Sequence, residues 1–491
     1  MDFDELENLS KTFNVIPVIS DSFNASETPL SIYRKMSRED SAFLLESAEQ
    51  GVWSRFSFVG FNPRGELSEQ NGNAVWKGPE LPFKLNSDPV AALEQLSEHY
   101  KSAHVSELPL QSGLVGHMSW NVVRNLERLS EQKSSDYSIP RLHFLQFREV
   151  VVLDHLDSKI YVIHNLFTDD GISSDSLVKA NSRISQIKEN LRKADASEIY
   201  DVDFEAETNA EARMEKSEFI AMVEAAKEHV VAGDVFQVVV SQRFVQDLKV
   251  SADQVYAVLR ALNPSPYMYL LQLEDDGGIY WIVGSSPEAL VRINQDTIIS
   301  HPIAGSRPRG ATPTDDLELE RELLADTKEQ SEHLMLVDLA RNDLLRSCEP
   351  TSVKVDEFMT VHRYSHIMHL VSTVVGKLRS GVSRVNAVTS AFPAGTLSGA
   401  PKPKALEIIE KLEPINRGLF GGVVGYFDFQ GNADLAIAIR TALVRDSKAF
   451  VQAGAGIVLD SDPDSEFEET LAKARVIQKA ISIANSRAKD A

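Results

Sequence analysis

Short runs of alternating apolar and polar residues, spaced between helical repeats, set out the chain before any chemistry is considered. Near the N-terminus SAFLLESAEQ is followed by WSRFSFVGFNP, whose alternation predicts a strand ending at the Asn-Pro turn. Segments 147–155 (FREVVVLDH) and 158–167 (SKIYVIHNLF) predict a hairpin, and 176–195 an amphipathic helix. The stretch 196–216 is acidic and carries too little apolar surface to form a core. It is therefore the expected boundary between an N-terminal part, 1–195, and a C-terminal domain, 217–491.

Beyond the boundary, KSEFIAMVEAAKEHVVAGD reads as a helix ending near Gly233. Strand patterns follow in VFQVVVSQRF, MYLLQLE, IYWIVGSSPEALVRI and TIISHPI, then one long helical stretch over 314–345. Glycine-rich strand patterns (FGGVVGYFDF, LAIAIRTALV, FVQAGAGIVLD) precede a final helix, DSEFEETLAKARVIQKAISIANS. Strands and long helices in runs, without strict alternation, imply an α+β fold rather than a doubly wound sheet.

Composition narrows the class. The chain of 491 residues is 43% hydrophobic, enough for a substantial core. No apolar run approaches the roughly 18–20 residues of a membrane span, and MDFDELENLS lacks the basic and apolar regions of a signal peptide. The one cysteine, Cys348, can form neither an internal disulfide nor a cysteine metal cluster, so a cytoplasmic location is expected. A formal net charge of −22 opposes nucleic-acid binding. An anionic small substrate would need a local pocket of cations and backbone N–H groups. HPIAGSRPRG (301–310), with Arg307 and Arg309 beside Gly305, reads as part of one.

GTLSGAPK (395–402) has the wrong spacing for a phosphate loop, GAG (454–456) lacks the third glycine of a dinucleotide fingerprint, and there is no H-E-x-x-H. Glu329 and Glu332 share one helix face, as do Glu466 and Glu469. These pairs are either solvated helix faces or, if the helices meet, four converging carboxylates that need a cation; oxygen-only ligation suits Mg²⁺. His369, on an apolar segment, reads either as a satisfied packed residue or as a general acid or base. FPAGTLSGAPKPKALEIIEKL (392–412) is either a structural turn or an anion site at a helix start. Arg440, ending the apolar LAIAIR, is expected to pair with a carboxylate of protein or substrate.

Taken in order, PIAGSRPRG, SEHLMLVDLARNDL, MHLVSTVVG, FPAGTLSGAPKPKALEIIE, GGVVGYFDF, IAIRTALV and QAGAGIVLDSDPDSEFEET resemble the chorismate-utilising enzymes over about 220–480. The resemblance implies two large antiparallel β-sheets packed together with outer helices. It implies Glu332 and Glu469 as Mg²⁺ ligands supported by Glu329 and Glu466. Gly305, Ser306, Arg440, Gly454, Ala455, Gly456 and Lys473 are implied as substrate contacts, and His369 and Glu288 as proton-transfer groups.

Two positions separate members of that family. Aminodeoxychorismate synthases carry a nucleophilic lysine in P-I-K-G-T, where this chain has Ala304, similar to the P-I-A-G-T of anthranilate synthases. Gln237 stands where isochorismate and salicylate synthases carry a lysine base, so a neutral amide favours ammonia over water as nucleophile. Both point to the anthranilate-forming branch: chorismate and ammonia to anthranilate and pyruvate, in tryptophan biosynthesis. Ser306 replaces the usual threonine and Phe420 a common tyrosine.

LLES (44–47) and NPSPYM (263–268) resemble the family's tryptophan effector pocket, which implies Ser47, Pro266, Tyr267 and Met268 as contacts and feedback inhibition. Cys348 lacks the glycine-rich elbow of a glutamine amidotransferase. A separate amidotransferase subunit, and hence a hetero-oligomer, is expected to supply ammonia. The rival expectations are a synthase stopping at the aminodeoxyisochorismate intermediate, an isochorismate or salicylate synthase, and a chorismate-binding protein without turnover.

Overall fold

The structure, a computed structural model, describes residues 1–37, 41–48, 55–130, 132–193, 201–363 and 367–487. The alternating runs form strands that pair antiparallel in two large layers. In the first the neighbours are β1 (Val15–Phe23), β7 (Lys159–Phe167), β6 (Leu142–Asp154), β3 (Phe56–Gln70), β2 (Ala42–Glu46), β10 (Tyr267–Asp275), β11 (Gly278–Ser286), β20 (Thr441–Arg445), β21 (Lys448–Ile457) and β9 (Gln237–Asp247). In the second, β4 (Asn73–Lys77) pairs with the far half of β3. The order then passes through β6 to β5 (Gly113–Met118), β18 (Val423–Asp428), β19 (Ala433–Ile437), β12 (Ala289–Asn294), β13 (Thr297–Ser300) and β16 (Ile367–Lys377). β14 (Ile303–Pro308) and β15 (Lys354–Arg363) also pair with β16. The long strands β3 and β6 run through both layers and make the hydrogen bonding continuous. Two short strands, β8 (Glu211–Ala212) and β17 (Gly399–Ala400), pair with the other edge of β9.

Inward-facing residues of both layers, among them Phe43, Tyr269, Tyr280, Val115 and Val424, form the buried layer between them. Helices cover the outer faces. Ala252–Leu262 and Pro463–Ser486 pack on the first layer, and Thr327–Ser347 and Arg384–Ala391 on the second. This is the expected α+β arrangement. Among the described residues no helix is long and apolar enough to cross a membrane.

Several boundaries differ from the sequence reading, each for a local reason. β3 does not end at Asn62-Pro63: Asn62 takes a left-handed φ of 50° and the register shifts between Pro63 and Gly65. A bulge absorbs the proline that cannot donate to the ladder. TIISHPI is two strands, β13 and β14, and IYWIVGSSPEALVRI is also two, β11 and β12. The stretch 314–345 is two helices, Pro313–Ala325 and Thr327–Ser347. Asp326 stops the first and caps the second, accepting from the N–H groups of Lys328 at 3.0 Å and Glu329 at 3.3 Å. Glu329 thus lies in a first turn, not mid-helix.

The N-terminal and C-terminal strands join edge to edge in both layers. β2 sits between β3 and β10, and β5 between β6 and β18. Of the expected boundary segment, 196–200 lies outside the described residues, and residues 201–216 are mostly exposed.

Candidate active site

Backbone pairing at one corner of the sheets places the first two groups. Between β11 and β12 the chain turns through Ser286-Pro287-Glu288; between β19 and β20 it turns through Arg440, whose φ is 50°. The Ser285 N–H donates to the Arg440 carbonyl at 3.1 Å, and the Ile437 N–H to the Glu288 carbonyl at 2.9 Å. Glu288 and Arg440 are therefore held on adjacent turns. Burial pushes the Glu288 carboxyl up to about 7, against the opposing pull of Thr396, which donates to its Oε1 at 3.1 Å, and of the Lys473 charge. Thr396 belongs to the short Gly395–Ser398 helix and was not singled out by sequence; its side-chain role appears only once β12 and that helix are brought together.

Of the two partners expected for Arg440, a protein carboxylate is not the one it meets. Its Nη1 donates to the Lys473 carbonyl at 3.1 Å, and among the described residues it makes no ion pair. Burial lowers its pKa while the charge of Glu469 raises it. Lys473 is one turn beyond Glu469 in the Pro463–Ser486 helix; its Nζ meets Glu469 Oε1 at 2.5 Å and donates to the Gly454 carbonyl at 3.0 Å. The cations Arg440 and Lys473 thus border β21, where Gly454, Ala455 and Gly456 pair with β9. A side chain at Gly456 would meet Gln237 Nε2 at 2.2 Å, so the missing Cβ seats the Gln237 amide, and Gln237 Oε1 is buried with no partner among the described residues.

The carboxylates face this rim from two helices. Burial raises the Glu332 pKa, Lys328 opposes, and the charges of Glu329, Glu469 and Asp326 raise it further. Burial likewise raises Glu466, with a hydrogen bond from Ser461 opposing and the Glu469 charge adding to the rise. The Glu332 and Glu469 carboxylates, from different helices, are thus near enough to repel one another. Among the described residues no three His, Cys, Asp or Glu side chains are gathered closely enough to enclose an ion. What remains is an open, all-oxygen face. That fits Mg²⁺, which takes one or two protein carboxylates and fills its shell with water and substrate oxygens.

On the near side, Gly305 sits at a bulge in β14 with φ of 68°, and a Cβ there would lie 3.0 Å from Glu329 Oε2. Its carbonyl faces His369 Nδ1 at 3.3 Å. A carbonyl only accepts, so Nδ1 carries the proton and Nε2 is the basic nitrogen. Burial lowers the His369 pKa, against that bond, and keeps the ring neutral. Ser306 is exposed and pairs in register with His369. The two arginines that follow do not serve an anion pocket. Arg307 Nη2 meets Asp326 at 2.8 Å, and Arg309 grips Asp316 through Nε at 2.8 Å and Nη2 at 3.0 Å. The acid-rich helices beside them neutralise both. Phe420 is buried in the core beneath this corner.

The expected effector residues adjoin this corner through β11: Tyr267 pairs with Ser286, where the Glu288 turn begins, and Met268 with Ser285. The Met268–Glu46 pairing of β10 with β2 brings LLES and PSPYM side by side, and the Ala48 N–H donates to the Ser265 carbonyl at 3.1 Å. Ser47 Oγ is buried without a partner among the described residues. Tyr267 donates to Asp434 Oδ1 at 3.0 Å. Met268 packs in the core under the Ala252–Leu262 helix, whereas Tyr267 borders the layer between the sheets, so the four residues do not share one face.

The model of the chorismate binding enzyme family matches residues 40–479. Anthranilate synthase component 1 of Arthrobacter globiformis is 44% identical, over 98% of this chain and 93% of that protein. The Mycobacterium tuberculosis protein of the same name is 45% identical, over 98% and 95%. The crystal structure of anthranilate synthase component I from Streptococcus pneumoniae is 34% identical, with a TM-score of 0.77 over 93% of this chain and all of that one. The menaquinone-specific isochorismate synthase of Escherichia coli, 19% identical over 97% of this chain and 98% of that one, shares the fold, with a TM-score of 0.68.

Proposed function

The chain belongs to the chorismate binding enzyme family, and from that premise we propose that it is the large subunit of an anthranilate synthase. One chorismate and one ammonia give one anthranilate, one pyruvate and one water. The observation that carries this reading is the meeting of a protonatable acid, Glu288, with two cations, Arg440 and Lys473, at the glycine-lined rim of β21. A dianionic substrate inside a chain of net charge −22 needs such a fixed positive rim.

Arg440, Lys473 and the backbone of Gly454–Gly456 hold a substrate carboxylate. Glu332 and Glu469 hold Mg²⁺, with Glu329 and Glu466 behind them; the bound ion supplies positive charge for the ring carboxylate. Gly305 and Ser306 line the near side. Glu288, protonated, gives its proton to the departing hydroxyl, which leaves as water as the C–N bond forms. The neutral amide of Gln237 leaves ammonia unprotonated and free to attack. His369 Nε2 then takes the ring proton as pyruvate departs and the ring becomes aromatic.

Cys348 is buried, and burial pushes its thiol up, so it is no nucleophile for glutamine hydrolysis. A separate amidotransferase subunit supplies ammonia in a hetero-oligomer, and the enzyme works in the cytoplasm. The test is to incubate the chain alone with chorismate, Mg²⁺ and an ammonium salt and follow anthranilate fluorescence. A Mg²⁺-dependent signal with ammonium but not with glutamine supports the reading. Accumulated aminodeoxyisochorismate, isochorismate or salicylate, or chorismate bound but unchanged, overturns it.

Two variants refine it. Gly456→Ala pushes only the flexible end of Gln237, so kcat/KM for chorismate should fall on the order of 10- to 100-fold with little change in Tm. A loss of Tm matching the loss of rate would assign the glycine to packing instead. Ser47 leaves a buried hydroxyl unpaired beside the β2–β10 seam, the kind of group a tryptophan ammonium or carboxylate satisfies. Ser47→Phe should abolish inhibition by tryptophan and keep the activity; equal inhibition of variant and parent would remove Ser47 from the effector site.

A further inference from the structure

Behind the corner lies a fully buried guanidinium. Arg417 is 1% exposed and stacks over Trp120, its Cζ 4.2 Å from the ring. It pairs with buried Glu413 through Nε at 2.9 Å and Nη2 at 2.7 Å. That pairing would satisfy the charge by itself. Two further bonds go elsewhere: Nη1 donates to the Leu397 carbonyl at 2.7 Å, and Nη2 to the Val239 carbonyl at 2.8 Å.

Both carbonyls belong to segments with exposed backbone needs. Leu397 lies in the four-residue Gly395–Ser398 helix, too short to satisfy its own last carbonyls. Val239 lies on the edge of β9 between the two short strands that cover it: β17 pairs with residues 237–238 and β8 with 244–245. The guanidinium fills the gap that no strand covers. The residue before Leu397 is Thr396, which holds Glu288; Val239 is two residues beyond Gln237.

We infer that Arg417 is a positioning residue that fixes the Thr396 turn to the Gln237 strand, and so sets Glu288 and the nucleophile's side of the pocket at their working separation. The inference rests on the proposed chorismate amination. Among the described residues Arg417 alone bridges the two segments with side-chain bonds; Glu413 anchors its other edge and also accepts from Ser241 at 2.7 Å.

The test compares Arg417→Lys, Thr396→Val and the double variant, at a fixed concentration of unprotonated ammonia. A lysine cannot span both carbonyls and Glu413 in one plane. Arg417→Lys should lose about 100-fold in kcat, the scale of a misplacement near 1 Å, with KM for chorismate changed far less. Thr396 restrains the protonated form of Glu288, so each single variant should move the alkaline limb of the kcat profile to higher pH. Lys473, the other charged group facing Glu288, is untouched. The double variant should move the limb no further than either single one. Glu413→Gln, which keeps the guanidinium and both carbonyl bonds, should lower Tm but leave the limb in place, and it decides the matter if Arg417→Lys does not fold. An unmoved limb in Arg417→Lys, additive shifts in the double variant, or a moved limb in Glu413→Gln would overturn the inference. Absence of anthranilate from the parent would instead overturn the function on which it rests.

Discussion

Replacing Glu288 with glutamine is expected to slow chorismate amination by about 10²- to 10⁴-fold, the usual worth of a positioned general acid. The amide oxygen of glutamine can still accept from Thr396, so the turn keeps its shape. What disappears is the proton. The parent should lose activity as pH rises through about 7, because burial holds Glu288 protonated up to that point; Glu288→Gln should be flat across the same range when free ammonia is held constant. Stability gives an independent check. A carboxyl whose folded pKa lies above its ordinary value favours the folded state fully below that ordinary value, and the benefit is lost as pH rises to about 7. Glu288→Gln should therefore gain in Tm on the parent at pH 8 relative to pH 5. A fall in kcat below tenfold, or a Tm difference that does not change with pH, would move the acid elsewhere.

The second large effect concerns Lys402, at the start of the Lys402–Leu412 helix. Its Nζ meets both oxygens of Asp343 at 2.9 and 3.1 Å and the Ala391 carbonyl at 3.0 Å, with little of either charged side chain exposed. Lys402→Met should cost about 3–5 kcal/mol, because it leaves the Asp343 charge uncompensated in the interior. Adding Asp343→Leu should restore most of that, since an apolar pair of similar volume replaces a buried ion pair at little cost. Denaturant midpoints of the three variants measure both effects. A double variant as unstable as Lys402→Met would mean that the Ala391 contact, not the ion pair, holds the turn.

Much of this was legible in the chain, and what was not has a common cause. Alternation located most strands and two of the four outer helices, Thr327–Ser347 and Pro463–Ser486, because a half-buried pleat or helix face imposes a period on sequence. It could not mark a break made by a single residue such as Asp326, between two helices. The site residues were visible through family resemblance, and the structure joins Glu288, Arg440, Lys473, Gly454 and Gln237 by a chain of contacts and charges. Arg307 and Arg309 misled because a cation beside a glycine says nothing about which acid will reach it; Asp316 and Asp326 come from the following helices. Thr396, Arg417 and Lys402 went unnoticed for the opposite reason. Each acts on a partner distant in sequence, and no periodicity reports that.

Because early strands take late ones as neighbours in both layers, two sheet edges stay open while the chain is being made. β2 gains its outer neighbour only when β10 emerges, and β5 only with β18, roughly 300 residues later. At ribosomal speeds of about 5–20 residues per second, the unpaired edge of β5 waits on the order of 15–60 s. For that interval a nascent chain displays an apolar strand with open N–H and C=O groups, a template for neighbouring chains on the same message. Production of this protein at high level should therefore depend on chaperone capacity more than on the stability of the finished fold.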